Sequence, residues 1–188
     1  MEKGLAIITG ADGGMGQVIT AALAKEGYPV IMACLDPEKA ASLCNRIQQE
    51  TGNTQIEVRR IDLASLSSVN NFTGQLLKEG RPVSRLINNA GILTTPVRKT
   101  EDGLETIVSV NYVAPYMLTR QLLPLMQPGC RIVNTVSCTY AIGRIEPDFF
   151  EKEGTDVFSA FRSMGIPSWR CYCSPKSLPN GCKTKTSP

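Results

Sequence analysis

Short β-branched apolar runs alternate along the chain with longer stretches whose apolar residues recur every three or four positions. LAIITG, from Leu5, ends in glycine, and VITAALAKEG after it puts Val18, Ile19, Ala22 and Leu23 on one helical face before Gly27. That pattern predicts strand, turn, helix. It recurs as PVIMACL followed by a helix from Asp36 with Ala40, Leu43, Cys44 and Ile47 on one side, and as QIEVRRIDL followed by a helix with Val69, Phe72 and Leu76. SRLINNAG, a long helix from about Thr100 to Met126, and RIVNTVS complete the series. Strands that are apolar on both faces and alternate with helices predict a parallel sheet covered on each side, a three-layer α/β/α arrangement. Right-handed crossovers give a doubly wound, Rossmann-type sheet of about five strands in the order 3-2-1-4-5, with ligands expected at the strands' carboxyl ends.

From Met164 the periodicity stops. The last stretch holds Pro167, Pro175, Pro179 and Pro188 with Cys171, Cys173 and Cys182, and no Asp or Glu. The chain therefore reads as one domain, residues 1–163, and an irregular Pro/Cys-rich tail, residues 164–188. Neither the spacing of the three cysteines nor a clear fourth ligand supports a metal site, so no metal is expected.

Composition narrows the chemistry. The net charge of +3 comes largely from Arg170, Lys176, Lys183 and Lys185 in the tail, so the body is near neutral and shows no basic footprint for nucleic acid. MEKGLAIITGA lacks the basic start and long apolar middle of a secretory signal, and no apolar run approaches membrane-spanning length, so a cytoplasmic protein with no membrane partner is expected. The chain has no histidine, which excludes a Ser-His-Asp triad and any imidazole shuttle and leaves proton transfer to Tyr, Lys, Cys or carboxylates.

The run Thr9-Gly10-Ala11-Asp12-Gly13-Gly14-Met15-Gly16 lies between the first strand and first helix. Gly10 permits a tight turn, and Gly14 and Gly16 remove the Cβ atoms that would hold a pyrophosphate away from backbone N–H groups at the helix N-terminus. Thr9, Gly10, Asp12, Gly14, Met15 and Gly16 are thus candidate dinucleotide contacts. Asp36, twenty residues after Gly16, is placed to accept from a ribose hydroxyl, but before Pro37 it reads equally as a helix N-cap. Asn111 puts an amide on the apolar stripe marked by Leu104, Ile107 and Val108, and must find partners. Pro115, four residues on, has no N–H, so the Asn111 carbonyl loses its usual partner and a kink is expected, with a water on the freed carbonyl or the amide satisfied by nearby backbone.

The Thr-Gly-x-x-x-Gly-x-Gly spacing resembles the short-chain dehydrogenase/reductase family, and four further motifs fall in its order. These are Asp62 in IDL, the run Asn88-Asn89-Ala90-Gly91, Asn111, and Ser137 at the end of RIVNTVS. The resemblance implies an NAD(P)-dependent oxidoreductase that interconverts an alcohol with a ketone or aldehyde as its small-molecule substrate. It implies that Asp62 and Leu63 contact adenine, that Asn88, Ala90 and Gly91 line the cofactor path, and that Asn111 positions a water. Ser137, Tyr172 and Lys176 are then the catalytic candidates with Asn111. Lysine's charge favours the phenolate of a Tyr whose ordinary pKa, about 10, makes it a poor base at neutral pH.

Tyr172 and Lys176 have the right spacing, but Ser174-Pro175 reads as a helix start that leaves Tyr172 outside. NAD and NADP stay open as cofactors, because relatives preferring NAD usually carry Asp at the place of Cys34 and many preferring NADP carry Arg at the place of Leu35. The family's last strands, and the helix that often forms a homo-oligomer interface, are expected to be missing. The tail reads as the truncated or frame-altered end of a longer enzyme, so the second reading is a catalytically inactive nucleotide-binding fragment.

Overall fold

The computed structural model describes residues 3–94, 96 and 98–136, and the backbone of residues 183–184. Its elements are β1 (Leu5–Thr9), α1 (Gly14–Lys25), β2 (Val30–Cys34), α2 (Pro37–Thr51), β3 (Ile56–Arg60), α3 (Leu66–Glu79) and β4 (Val83–Asn88). A helical stretch then runs as α4 (Thr106–Val108), a π-helical turn (Ser109–Val113), α5 (Ala114–Leu122) and a 3₁₀ turn (Leu123–Leu125), before β5 (Met126–Asn134). The strands lie side by side in the order β3-β2-β1-β4-β5, all parallel, which is the predicted order. In the segment read as an irregular tail, Lys183–Thr184 forms a two-residue β6 that pairs parallel with Arg131 and Ile132 of β5.

Side chains alternate across the sheet and divide the core in two. Leu5, Ile7, Ile31 and Leu86 face α3 and α5, meeting Val69, Phe72, Leu76, Ala114, Leu118 and Leu122. Ala6, Ile8, Val30, Met32 and Ile87 face α1 and α2, meeting Ala24, Ala40, Cys44 and Ile47. β1 and β2 are buried along their whole length, and each fully buried Ile or Leu contributes about 1.5–3 kcal/mol. These two central strands make the sheet a rigid base for the loops at its carboxyl edge.

Two helices differ from expectation. In α1 the fully buried residues are Gly16, Thr20 and Ala24; of the predicted face Ile19 and Leu23 pack half-buried against the core, while Val18 is 66% exposed and Ala22 is also exposed. Small residues win that face because α1 must lie close to the sheet beneath the glycine turn. The long helix does not begin near Thr100: residues 99–105 form a loop closed by a Lys99–Glu105 bridge, and helical structure starts at Thr106. Leu104 therefore precedes the helix. Where a proline kink is expected, the chain widens into the π turn, whose Ala114 N–H reaches back five residues to the Ser109 carbonyl. Pro115 follows at once, its missing N–H falling where the wide turn gives way to regular helix.

Candidate functional site

The sequence from Thr9 to Gly16 leaves the sheet beside β4, the point where the strand order reverses. Gly10 takes φ +60, a left-handed conformation that favours glycine, and a Cβ there would stand 3.0 Å from the Ala90 Cα. The Gly13 N–H closes the bend on the Gly10 carbonyl at 3.1 Å, and the Gly10 N–H donates to the Ala33 carbonyl at 2.9 Å. α1 starts at Gly14 with no side-chain cap and no acidic residue in its first turn. Its N-terminal amides, which have no partner within a helix, are thus left for something else. A Cβ on Gly16 would strike the Gly10 carbonyl at 2.1 Å, whereas one on Gly14 would meet nothing within 4 Å. Gly16 is small for the fold and Gly14 borders open space.

The second wall is tied directly to this turn. Thr9, buried, accepts on Oγ1 from the N–H groups of Asn89 (3.0 Å) and Ala90 (3.1 Å). Asn89 Nδ2 donates back to the carbonyls of Thr9 (3.1 Å) and Gly10 (3.2 Å). Asn89 Oδ1 is buried with no hydrogen-bond partner, beside the opening. Asn88 lies lower, 4% exposed, with Nδ2 donating to Asn134 Oδ1 at 2.8 Å and Thr119 Oγ1 at 3.2 Å. It supports the wall from below and does not line it.

Asn111 answers its partner question with backbone. Its Oδ1 accepts from the Ile92 N–H and its Nδ2 donates to the Ile92 carbonyl, both at 2.9 Å. The amide therefore fixes the chain just after Gly91, the outcome in which it is satisfied by neighbouring backbone. Two residues earlier in the same π turn, buried Ser109 donates to the Leu63 carbonyl at 3.0 Å. Asp62 is held in turn by Ser68 Oγ, which accepts its N–H at 2.9 Å, while Asp62 Oδ1 accepts from Ala64 N–H at 2.9 Å.

Together these loops enclose a cleft of about 630 Å³ at the carboxyl ends of β1 to β4. Of the predicted contacts it is lined by Gly10, Asp12, Gly14, Met15, Gly16, Asp62, Leu63, Ala90 and Gly91. Thr9, Asn88, Asn111 and Asp36 act behind or beside it. Asp36 caps α2, with Oδ1 accepting from the Lys39 N–H at 3.2 Å and Oδ2 lying 3.0 Å from Lys39 Nζ. Lys39 holds the Asp36 carboxyl below the usual carboxylate range through its side chain first and its N–H second. Burial, and then the Asp12 carboxylate, push the Cys34 thiol up to about 12, so it stays neutral. Sequence reasoning missed Ala33, Ile61, Ala64, Ile92 and Val110, which with Leu35 supply apolar lining, and Thr106, whose hydroxyl donates to the Arg98 carbonyl. Ile92 could have been found as the residue after the NNAG run. Ser137, Tyr172 and Lys176 lie outside the described residues.

The model of the short chain dehydrogenase family matches residues 4–146. The chain belongs to the short-chain dehydrogenase family. Among curated relatives of this family, retinol dehydrogenase 11 of Mus musculus is 38% identical over 158 residues, 83% of this chain and 49% of that one. Polyprenol dehydrogenase of Mus musculus is 32% identical over 163 residues, 84% of this chain and 48% of the relative. A crystal structure of an uncharacterised protein from Mycobacterium paratuberculosis superposes with TM-score 0.76 at 31% identity, covering 89% of this chain and 58% of that one. The chain thus spans about half the length of the curated relatives it matches. Among the described residues no helix is long and apolar enough to cross a membrane.

Proposed function

We propose that the protein is an NAD(P)-dependent oxidoreductase that interconverts an alcohol with a ketone or aldehyde. The observation that carries this is the uncapped start of α1 at the switch point of the sheet, with open space over Gly14 where a diphosphate needs it. Gly10, Gly14, Met15 and Gly16 would hold the phosphates, Asp62 and Leu63 the adenine, and Ala90 and Gly91 the path toward the nicotinamide. When bound, the nicotinamide exchanges a hydride with the substrate carbon.

Proton transfer falls to Tyr172, whose phenol is a poor base unless nearby positive charge stabilises its anion; Lys176 supplies that charge and Ser137 donates to the substrate oxygen. Asn111, fixed on Ile92, keeps the Gly91–Ile92 wall in register. Relatives named for retinol and polyprenol support a bulky apolar alcohol or its aldehyde as substrate.

Fluorescence titration of the full chain with NADH and NADPH, followed by turnover with retinol, a polyprenol and short alcohols, tests the reading. Binding with turnover that Tyr172→Phe lowers by about a hundredfold or more is expected. Failure to bind either dinucleotide would overturn the proposal. Binding without turnover on any substrate would favour a nucleotide-binding fragment.

A further inference from the structure

Toward β5, the sheet face that carries α1 and α2 changes from apolar to cationic. Residues paired on neighbouring strands share a face, so the register sets Val30, Ala6, Arg85 and Arg131 in one row across β2, β1, β4 and β5. Val30 and Ala6 are buried, Arg85 is half-buried and Arg131 is exposed. The backbone register continues the row to Lys183 in β6. Two residues nearer the carboxyl edge the same face carries Ile87, buried, and Val133, half-buried. α1 and α2 pack over β1, β2 and β3, which leaves β5 without a helix on this side among the described residues.

Two guanidinium groups at neighbouring positions of a sheet repel one another unless an anion lies over them. No carboxylate of the surrounding elements does so. β1, α1, β4 and β5 contain no Asp or Glu, and Asp12 and Glu26, just outside the two ends of α1, form no ion pair with either arginine among the described residues. Arg85 is held by neutral groups: its Nη1 donates to the Ser84 carbonyl at 2.7 Å, its Nη2 donates to the Tyr28 hydroxyl at 2.9 Å, and its Cζ lies 5.2 Å from the Tyr28 ring centre. Lys3 Nζ stands over the same ring at 4.6 Å and adds a further positive charge. A guanidinium has five N–H donors, so Arg85 is oriented yet keeps donors and its full charge for something else. Arg131 has no ion pair or side-chain hydrogen bond among the described residues.

We infer that this face docks an acidic helix of a partner protein, with neighbouring carboxylates on Arg85 and Arg131 and an apolar side chain of the same helix on Val133. Carboxylates three or four positions apart on a helix lie about 5–6 Å from one another, close to the strand spacing of about 4.8 Å, and the arginine stems take up the difference. The half-buried place of Arg85 and the apolar row beside it favour a polypeptide over a flat phosphate surface, which reaches Arg131 but not the recessed guanidinium. The body of the chain is near neutral and exerts no long-range pull on a polyanion, which points the same way.

Fluorescence anisotropy tests the inference, using the full chain with a labelled helical peptide that carries Glu at every fourth position among Leu and Ala, and with its Gln counterpart. The Glu peptide is expected to bind about tenfold or more tightly than the Gln peptide, with the difference narrowing as salt rises. Arg85→Gln is expected to weaken the Glu peptide about tenfold and Arg131→Gln several-fold, and both should leave NADH affinity unchanged because neither residue lines the cleft. Equal binding of the two peptides, or Glu-peptide binding indifferent to both substitutions, would overturn the inference. So would phosphatidylserine vesicles that bind the parent and not Arg131→Gln while the Glu peptide stays unbound, which would give the row to a membrane. An Arg85→Gln protein that melts well below its parent, with no peptide bound by either, would give the row to a carboxylate of this chain instead.

Discussion

Gly14 and Gly16 lack a Cβ for different reasons, although they sit two residues apart in one turn. At Gly16 a methyl group would meet backbone on two sides, 2.1 Å from the Gly10 carbonyl and 2.8 Å from the Ala11 Cα, and neither atom can swing away. Gly16→Ala is therefore expected to cost about 2–4 kcal/mol of stability and to abolish NADH binding with it. At Gly14 a methyl group meets nothing, and alanine is the better helix former, so Gly14→Ala should leave the melting temperature unchanged or slightly raised. Its NADH affinity should still fall about tenfold, because the methyl fills the space over the α1 amides. Thermal melts and NADH titrations of the two variants separate the roles, and a Gly14→Ala protein that binds as well as the parent would mean that the diphosphate lies elsewhere. The glycine spacing in the sequence announced this turn. It could not distinguish a glycine required by packing from one required by a ligand, since that depends on what stands opposite each missing Cβ.

The helical stretch from Thr106 to Leu125 shows where pattern reading reached its limit at the level of elements. Apolar spacing alone extends the helix back through Leu104, but the backbone there is taken by a loop in which Thr100 N–H donates to the Leu104 carbonyl at 2.7 Å. Pro115 signals an irregularity without saying which kind. The π turn places Ser109 against Leu63, Val110 on the cleft and Asn111 against Ile92, so one widened turn braces the loops after β3 and β4. Strands β1, β2 and β4 were legible because their β-branched and apolar residues fit a sheet buried on both faces. The register of a helix against two loops has no such local signature. Pro115→Ala restores an N–H that regular helix can use, and the widened turn is then expected to tighten. The protein should melt no lower than its parent, yet bind NADH several-fold more weakly as Asn111 is drawn from Ile92. Unchanged binding would show that the wide turn does not position the β4 loop.

On the scale of the whole molecule, the sheet needs its edge protected as well as its centre buried. β3 is the outer strand on one side, and its burial falls away from Ile56 toward Arg60. Its outward residues carry charge: Arg59 bonds Glu79 and Glu57, and Arg81 bonds Glu57, joining β3 to the end of α3 and the start of β4. Such an edge resists pairing with another chain. The sequence showed these charges, and their linkage follows only once β3 lies beside α3.

Burial works against the charge on Glu57, but hydrogen bonds from Arg81 and Arg59 outweigh it and hold the carboxyl below its ordinary range. A carboxyl depressed in the folded state stabilises above its unfolded pKa, about 4.3 for Glu, and loses that stabilisation as pH falls through the lower folded value. The Glu57 side chain is 39% exposed, so solvent screening keeps the contribution to about 1 kcal/mol or less. Glu57→Gln is therefore expected to melt a few degrees lower than the parent at neutral pH, with the two curves converging below about pH 4 as the parent's carboxyl takes up its proton. A gap between the curves that stays constant from pH 7 to pH 3 would assign Glu57 a packing role and leave the edge to be held by its hydrogen-bonded backbone.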